Sequence, residues 1–80
     1  MAIYLRIVKV DDTPTHAEYT FMNSTEDRVG RFQIDKESGE TVLIENMPGD
    51  GNGHMFSRAA YKVKKAFQSG ELPELTIYAA

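Results

Sequence analysis

No cysteine occurs among the 80 residues, which excludes a structural disulfide, thiolate catalysis and every thiolate metal site at once. Histidine is nearly as scarce. His16 and His54 stand in separate loop-like segments, and a transition-metal site would need both to converge with Asp11, Asp12 or Asp50 as further ligands. Their spacing indicates nothing of the kind, so exposed loop histidines are expected and no metal or other cofactor is implied. Long apolar runs are missing too: nothing approaches the roughly 20 residues that a bilayer-crossing helix needs. The opening stretch MAIYLRIVKV carries Arg6 and Lys9 inside its apolar run, unlike the basic n-region and uninterrupted h-region of a secretory signal. A cytoplasmic address and no membrane partner are the expectation.

What remains is ordinary globular material. Hydrophobic residues make up 41% and charged residues 26%, too apolar for a disordered chain. A chain of this length makes one domain, residues 1–80, with a stability on the order of 4–12 kcal/mol.

Ile3, Leu5 and Ile7 alternate with Tyr4 and Arg6, the period of a half-buried strand. Val8 and Val10 then fall on the opposite parity, which predicts a bulge near Ile7 and Val8 or burial on both faces. The turn chemistry of DDTPT, Asp11 to Thr15, leads to a second strand with Ala17, Tyr19 and Phe21 inside and Glu18 and Thr20 outside.

After a polar loop, residues 28–35 and 40–47 read as a hairpin around KESG. With Gly39 in the left-handed position of a three-residue loop, Ile34 faces Val42 and Phe32 faces Ile44 on one side. Asp35–Thr41, Gln33–Leu43 and Arg31–Glu45 pair on the other, an arrangement that places opposite charges together. A four-residue loop sets Ile34 against Thr41 and Gln33 against Val42, mixing polar with apolar, and is disfavoured.

The connector from Pro48 to Gly53 is glycine-rich, with Asn52 or Gly53 as the expected N-cap of a helix over residues 54–69. On a wheel of about 100° per residue, Phe56, Ala59, Ala60, Ala66 and Phe67 lie within about 60° of Val63, and Met55 at the margin. Arg58, Tyr61, Lys65 and Gln68 lie opposite. Gly70 suits the stop and Pro73 prevents continuation. A last strand over residues 74–79 is expected to turn Leu75 and Ile77 inward and to lie beside the first or fourth strand. The order β-β-β-β-α-β predicts an α+β fold, a mainly antiparallel β-sheet with one amphipathic helix packed on one face.

The GDGNG loop, Gly49 to Gly53, invites comparison with phosphate cradles, in which backbone N–H groups at a helix N-terminus hold an anion. Gly51, Gly53 and His54 are the residues such a site would use. A P-loop, however, needs Lys and then Ser or Thr after its last glycine, where this chain has His54 and Met55, and Asp50 opposes an anion. An EF-hand fails in both registers. Starting at Asp50 puts Met55 where glycine is required and Tyr61 where the closing acid belongs; starting at Pro48 ends on Ala59. Of the serines, only Ser57 has a nearby base, His54, and neither an orienting acid nor an oxyanion hole accompanies them. A non-enzymatic role is expected.

Charge is unevenly distributed. The net value is −3, yet the helix holds Arg58, Lys62, Lys64 and Lys65 and no acid, leaving five cations against twelve acids elsewhere, a balance of −7. Tyr61 stands between Arg58 and Lys65 on this face, a composition usual in binding hot spots. A solvated surface whose tyrosine covers aliphatic stems would look the same. The expected function is a small stand-alone binding or regulatory module presenting Arg58, Tyr61, Lys62 and Lys65 to an acidic protein partner. Nucleic acid is disfavoured by the acidic balance and the short stripe. The alternatives are a ligand or phosphate binder, or an enzyme, built on Gly51, Gly53 and His54, and a structural homodimer through an open strand edge or sheet face.

Overall fold

The computed structural model describes residues 3–80. Five strands and a helix follow in the order β1 (Tyr4–Asp12), β2 (His16–Met22), β3 (Val29–Asp35), β4 (Thr41–Glu45), α1 (His54–Gln68) and β5 (Leu75–Ala79). The strands form one antiparallel sheet in the order β4-β3-β2-β1-β5, so the last strand lies beside the first and closes one edge. Helix α1 covers one face, giving the α+β architecture that the periodicities predict.

The core forms where the alternation is cleanest. Leu5 and Ile7 of β1, Ala17, Tyr19 and Phe21 of β2, and Phe32 and Ile34 of β3 are fully buried beneath Ala59, Ala60 and Val63 of the helix. Phe32 is the hub of an aromatic cluster, stacked on Tyr19 at 5.7 Å between ring centroids and met edge-on by Phe56 at 5.8 Å. Such contacts are worth about 0.5–1.5 kcal/mol each beyond the area they bury. Gly30 leaves room for the Phe21 ring: a Cβ there would lie 2.4 Å from Phe21 Cζ.

Three features of the strands differ from expectation. The break in β1 falls between Lys9 and Asp11 rather than near Ile7 and Val8. Val10 is extruded and exposed there, while Lys9 stays on the inner parity beside Tyr19. Its ammonium reaches Asp12 at 3.0 Å and Glu74 at 3.5 Å, so a charge sits at the margin of the core without being orphaned. The Asp12 hydrogen bond and the two carboxylates hold the Lys9 pKa above its ordinary value despite the opposing effect of burial.

The hairpin adopts the register set aside on pattern grounds. Phe32 pairs with Leu43, Gln33 with Val42 and Ile34 with Thr41, and a bulge then restores Arg31 to Glu45. The turn decides this. The Asp35 carboxylate accepts the N–H groups of Glu37 and Ser38 at 2.7 and 3.1 Å, its carbonyl accepts Gly39 N–H at 2.8 Å, and its own N–H donates to Glu40 O at 2.9 Å. Those bonds close a loop over Lys36 to Gly39 and outweigh the cross-strand preference of Val42 and Ile44, which end up exposed.

Leu75 and Ile77 face outward, not inward. Leu5 pairs with Tyr78 and Ile7 with Thr76, which puts Thr76 and Tyr78 on the helix side. Two anchors fix that phase: Lys9 N–H donates to Glu74 O at 2.9 Å, and the buried Tyr19 hydroxyl donates to Pro73 O at 2.7 Å. The open face of the sheet carries Glu18, Thr20, Arg31, Gln33 and Glu45 across its β4 half, with Arg31 bridging Glu18 and Glu45. Its β5 half holds Leu75 and Ile77, paired with Val8 and Arg6.

Candidate functional site

Helix α1 is stopped by backbone chemistry. Gly70 takes φ +93°, its N–H donates to Phe67 O at 2.9 Å and Glu71 N–H donates to Ala66 O at 3.1 Å, the paired bonds of a Schellman ending. The chain then turns at Pro73 and runs back as β5 along the edge of the sheet. Since α1 crosses the sheet above this edge, the two elements enclose an open groove of about 960 Å³. Tyr61, Lys62, Lys65 and Gln68 form its helix wall, and Thr76 to Ala79 its strand wall.

Three of the four residues singled out on the helix therefore share one concave site. Lys65 Nζ lies 5.6 Å from the centre of the Tyr61 ring and donates to its hydroxyl oxygen at 3.3 Å. The ammonium thus lies beyond the hydroxyl edge of a ring that is 56% exposed, and the two side chains share the groove mouth. Lys62 is half-buried one residue further along the wall. Among the described residues no Asp or Glu lines the groove, so its potential is positive on a molecule that is acidic elsewhere. Arg58 is not part of it. Its guanidinium turns back one helical turn to donate to His54 O at 3.1 Å.

The strand wall was missed by sequence reasoning because Leu75 and Ile77 were assigned to the core. The signal was nonetheless present: LTIYA has no charge and no proline, two of the devices that normally blunt an exposed edge. The opposite edge differs, since the register shift between Phe32–Leu43 and Arg31–Glu45 puts a bulge into β4.

The connector before α1 has a different design. Gly53, at φ +70°, is the N-cap residue and supplies no side-chain bond. Asp50 takes over that duty. The residue is only 7% exposed, and its carboxylate accepts Met55 N–H at 3.1 and 3.0 Å and Phe56 N–H at 3.2 Å. The donors that a phosphate would use are thus filled by an anion belonging to the chain. Gly51 and His54 are exposed beside it. A small cavity of about 120 Å³ lies under the connector against Tyr4, Arg28 and Met47, and Gly51, Gly53 and His54 do not line it.

The remaining polar clusters have structural partners. Asp12 is bonded by Lys36 and Lys9, which hold its carboxyl below the ordinary 3.8, and the Ser38 and Glu37 amides do the same for Asp35. Thr25 and Asn23 lower Asp27 within the loop between β2 and β3. Burial, followed by the charges of Asp12 and Glu74, drives the Tyr19 phenol far above 10, so it stays protonated as the donor to Pro73. Among the described residues no three His, Asp or Glu side chains are grouped to hold a metal ion, and no helix is long and apolar enough to cross a membrane. Compared with family models, curated proteins and solved structures, the chain matches none. Any functional reading therefore rests on the groove and its chemistry.

Proposed function

We propose that the protein is a binding module whose recognition surface is the groove between α1 and β5, and that its partner is an acidic polypeptide segment. The observation that supports this most is the gathering of Tyr61, Lys62 and Lys65 along a groove that no acid lines among the described residues, on a chain whose residues outside the helix carry −7. A merely solvated basic face has no reason to sit opposite an uncharged strand edge. The aromatic ring offers area at low entropic cost, and the lysines offer charge that steers an acidic partner and rejects a basic one.

The filled helix N-terminus weighs against the phosphate reading of Gly51, Gly53 and His54, because an incoming anion would have to displace Asp50. The test is amide shift mapping of the isotopically labelled protein against two random-sequence peptide pools, one enriched in Glu and one in Lys. The acidic pool is expected to move Tyr61, Lys62 and Lys65 together with Thr76 to Ala79, and raised salt to reverse the effect. Equal responses to both pools, or shifts confined to other surfaces, would overturn the reading.

A further inference from the structure

We infer that the acidic segment binds as an added β-strand, pairing its backbone with the free edge of β5 while its acidic side chains point at the helix wall. This inference deepens the groove reading and rests on it. The hydrogen-bond phase of the sheet edge carries the argument. Ile3 and Ala80 exchange bonds, Ile3 N–H to Ala80 O at 2.7 Å and Ala80 N–H to Ile3 O at 2.9 Å, and Lys9 N–H donates to Glu74 O. In an antiparallel ladder the bonded residues alternate, so Glu74, Thr76, Tyr78 and Ala80 spend their backbone groups on β1. The N–H and C=O groups of Leu75, Ile77 and Ala79 point away from the sheet, and among the described residues none of them has a backbone partner. Three pairs of groups at a two-residue spacing make a template for one more strand.

The two faces of such a strand meet different chemistry. On the helix side, alternate residues of the guest enter the groove beside Lys62, Lys65 and Tyr61, where Glu or Asp is matched and Lys or Arg is repelled. On the other side, the intervening residues extend the open sheet face next to Leu75 and Ile77, which are 49% and 43% exposed, and an apolar side chain there covers them. The fitting ligand is therefore an extended segment alternating acidic with apolar residues. A second copy of this chain fits less well: antiparallel pairing of β5 with β5 about a two-fold axis would set the two cationic helices next to each other on the same face of the joined sheet.

The probes are blocked peptides alternating Glu with Val, their Lys–Val counterparts, and Glu–Val peptides N-methylated at every second residue in either phase. Amide exchange of the full chain is followed by NMR. The Glu–Val peptide is expected to slow exchange at Leu75, Ile77 and Ala79 by about tenfold or more at saturation. One N-methyl phase should abolish binding by removing the donors to β5, and the other should be tolerated. Ile77→Glu, on an exposed position, is expected to weaken the complex with its fold retained, as judged by its amide spectrum. If Glu–Val shifts Tyr61 and Lys65 but leaves the β5 amides unprotected and tolerates both N-methyl phases, strand addition is overturned while the groove remains a binding surface. If Glu–Val and Lys–Val bind alike or not at all, the groove reading itself falls. Protection of the β5 amides without peptide, together with a dimer by sedimentation, would assign the edge to a second copy and overturn the inference.

Discussion

Replacing Asp50 by alanine removes the acceptor of two helix N-terminal donors without touching the apolar core. Met55 N–H loses two carboxylate contacts and Phe56 N–H loses one, at a part-buried site around a residue that is 7% exposed. Loss of an N-cap acceptor costs about 0.5–2 kcal/mol, and hydrogen bonds to a charged group are worth about 1.5–3 kcal/mol. These overlap rather than add, because water reaches part of the exposed first turn, so a loss of about 2–3 kcal/mol is expected. In a domain of this size that corresponds to a fall in Tm of roughly 8–24 °C, or a shift of about 2 M in the urea midpoint. Urea denaturation followed by circular dichroism gives the number. Asp50→Asn keeps an oxygen but loses the charge, and should cost about half as much. The freed donors then become an anion site: phosphate is expected to stabilise D50A by more than it stabilises the parent, and to move the Met55 and Phe56 amides only in the variant. Stability of D50A within about 0.5 kcal/mol of the parent would refute the assignment of the cap. A parent whose Met55 amide responds to phosphate as strongly as the variant's would refute the claim that the site is already filled.

Gly30→Ala places a methyl 2.4 Å from Phe21 Cζ and 2.9 Å from Met47 N, so a loss of about 3 kcal/mol with a disturbed aromatic near-ultraviolet signal is expected by denaturation. Gly39→Ala meets Phe67 at 2.9 Å and must hold φ +78°, which should cost about 2–4 kcal/mol and can be measured in the same way. Asp12 and Asp35 have folded-state pKa values below 3.8, so their contribution to stability is complete above the unfolded value and is lost as pH falls through the lower folded values. The urea midpoint should therefore drop below about pH 4, and D12N/D35N should flatten that acid limb. Lys62→Glu with Lys65→Glu, both on the groove wall, should leave the unfolding free energy from urea denaturation within about 0.5 kcal/mol of the parent while abolishing binding of the Glu–Val peptide.

Helix α1 was legible in outline because its apolar stripe, its glycine stop and the proline beyond it all agree. β2 was legible because Ala17, Tyr19 and Phe21 alternate strictly with polar residues. Strands with apolar residues on both parities were harder. In β5, Leu75 and Ile77 compete with Tyr78 for the core, and the outcome is decided by bonds from Lys9 and Tyr19, which are distant in sequence. In the hairpin, the capping of two amides by Asp35 overrides the side-chain preference of Val42 and Ile44. The bulge at Val10 lies later than the parity suggests because Lys9 finds partners in Asp12 and Glu74.

The same difficulty hid half of the candidate site. Tyr61, Lys62 and Lys65 stand out from composition alone, since a cluster of cations in an acidic chain needs no structure to be noticed. Their strand partners do not. Only the sheet order makes β5 an edge, and only its register sends the amides of Leu75, Ile77 and Ala79 outward. Arg58 belongs to the same cationic face yet turns toward His54 O, a choice between solvent, groove and backbone that helical periodicity does not determine.

The central claim is that the α1–β5 groove receives an acidic strand. Titration of the labelled protein with the Glu–Val peptide, followed residue by residue, tests it most directly. Saturable shifts at Tyr61, Lys62 and Lys65 and slowed exchange at Leu75, Ile77 and Ala79, both absent with the Lys–Val peptide, are the predicted result. Shifts centred on Gly51, Gly53 and His54, or an unchanged spectrum at saturating peptide, would contradict it.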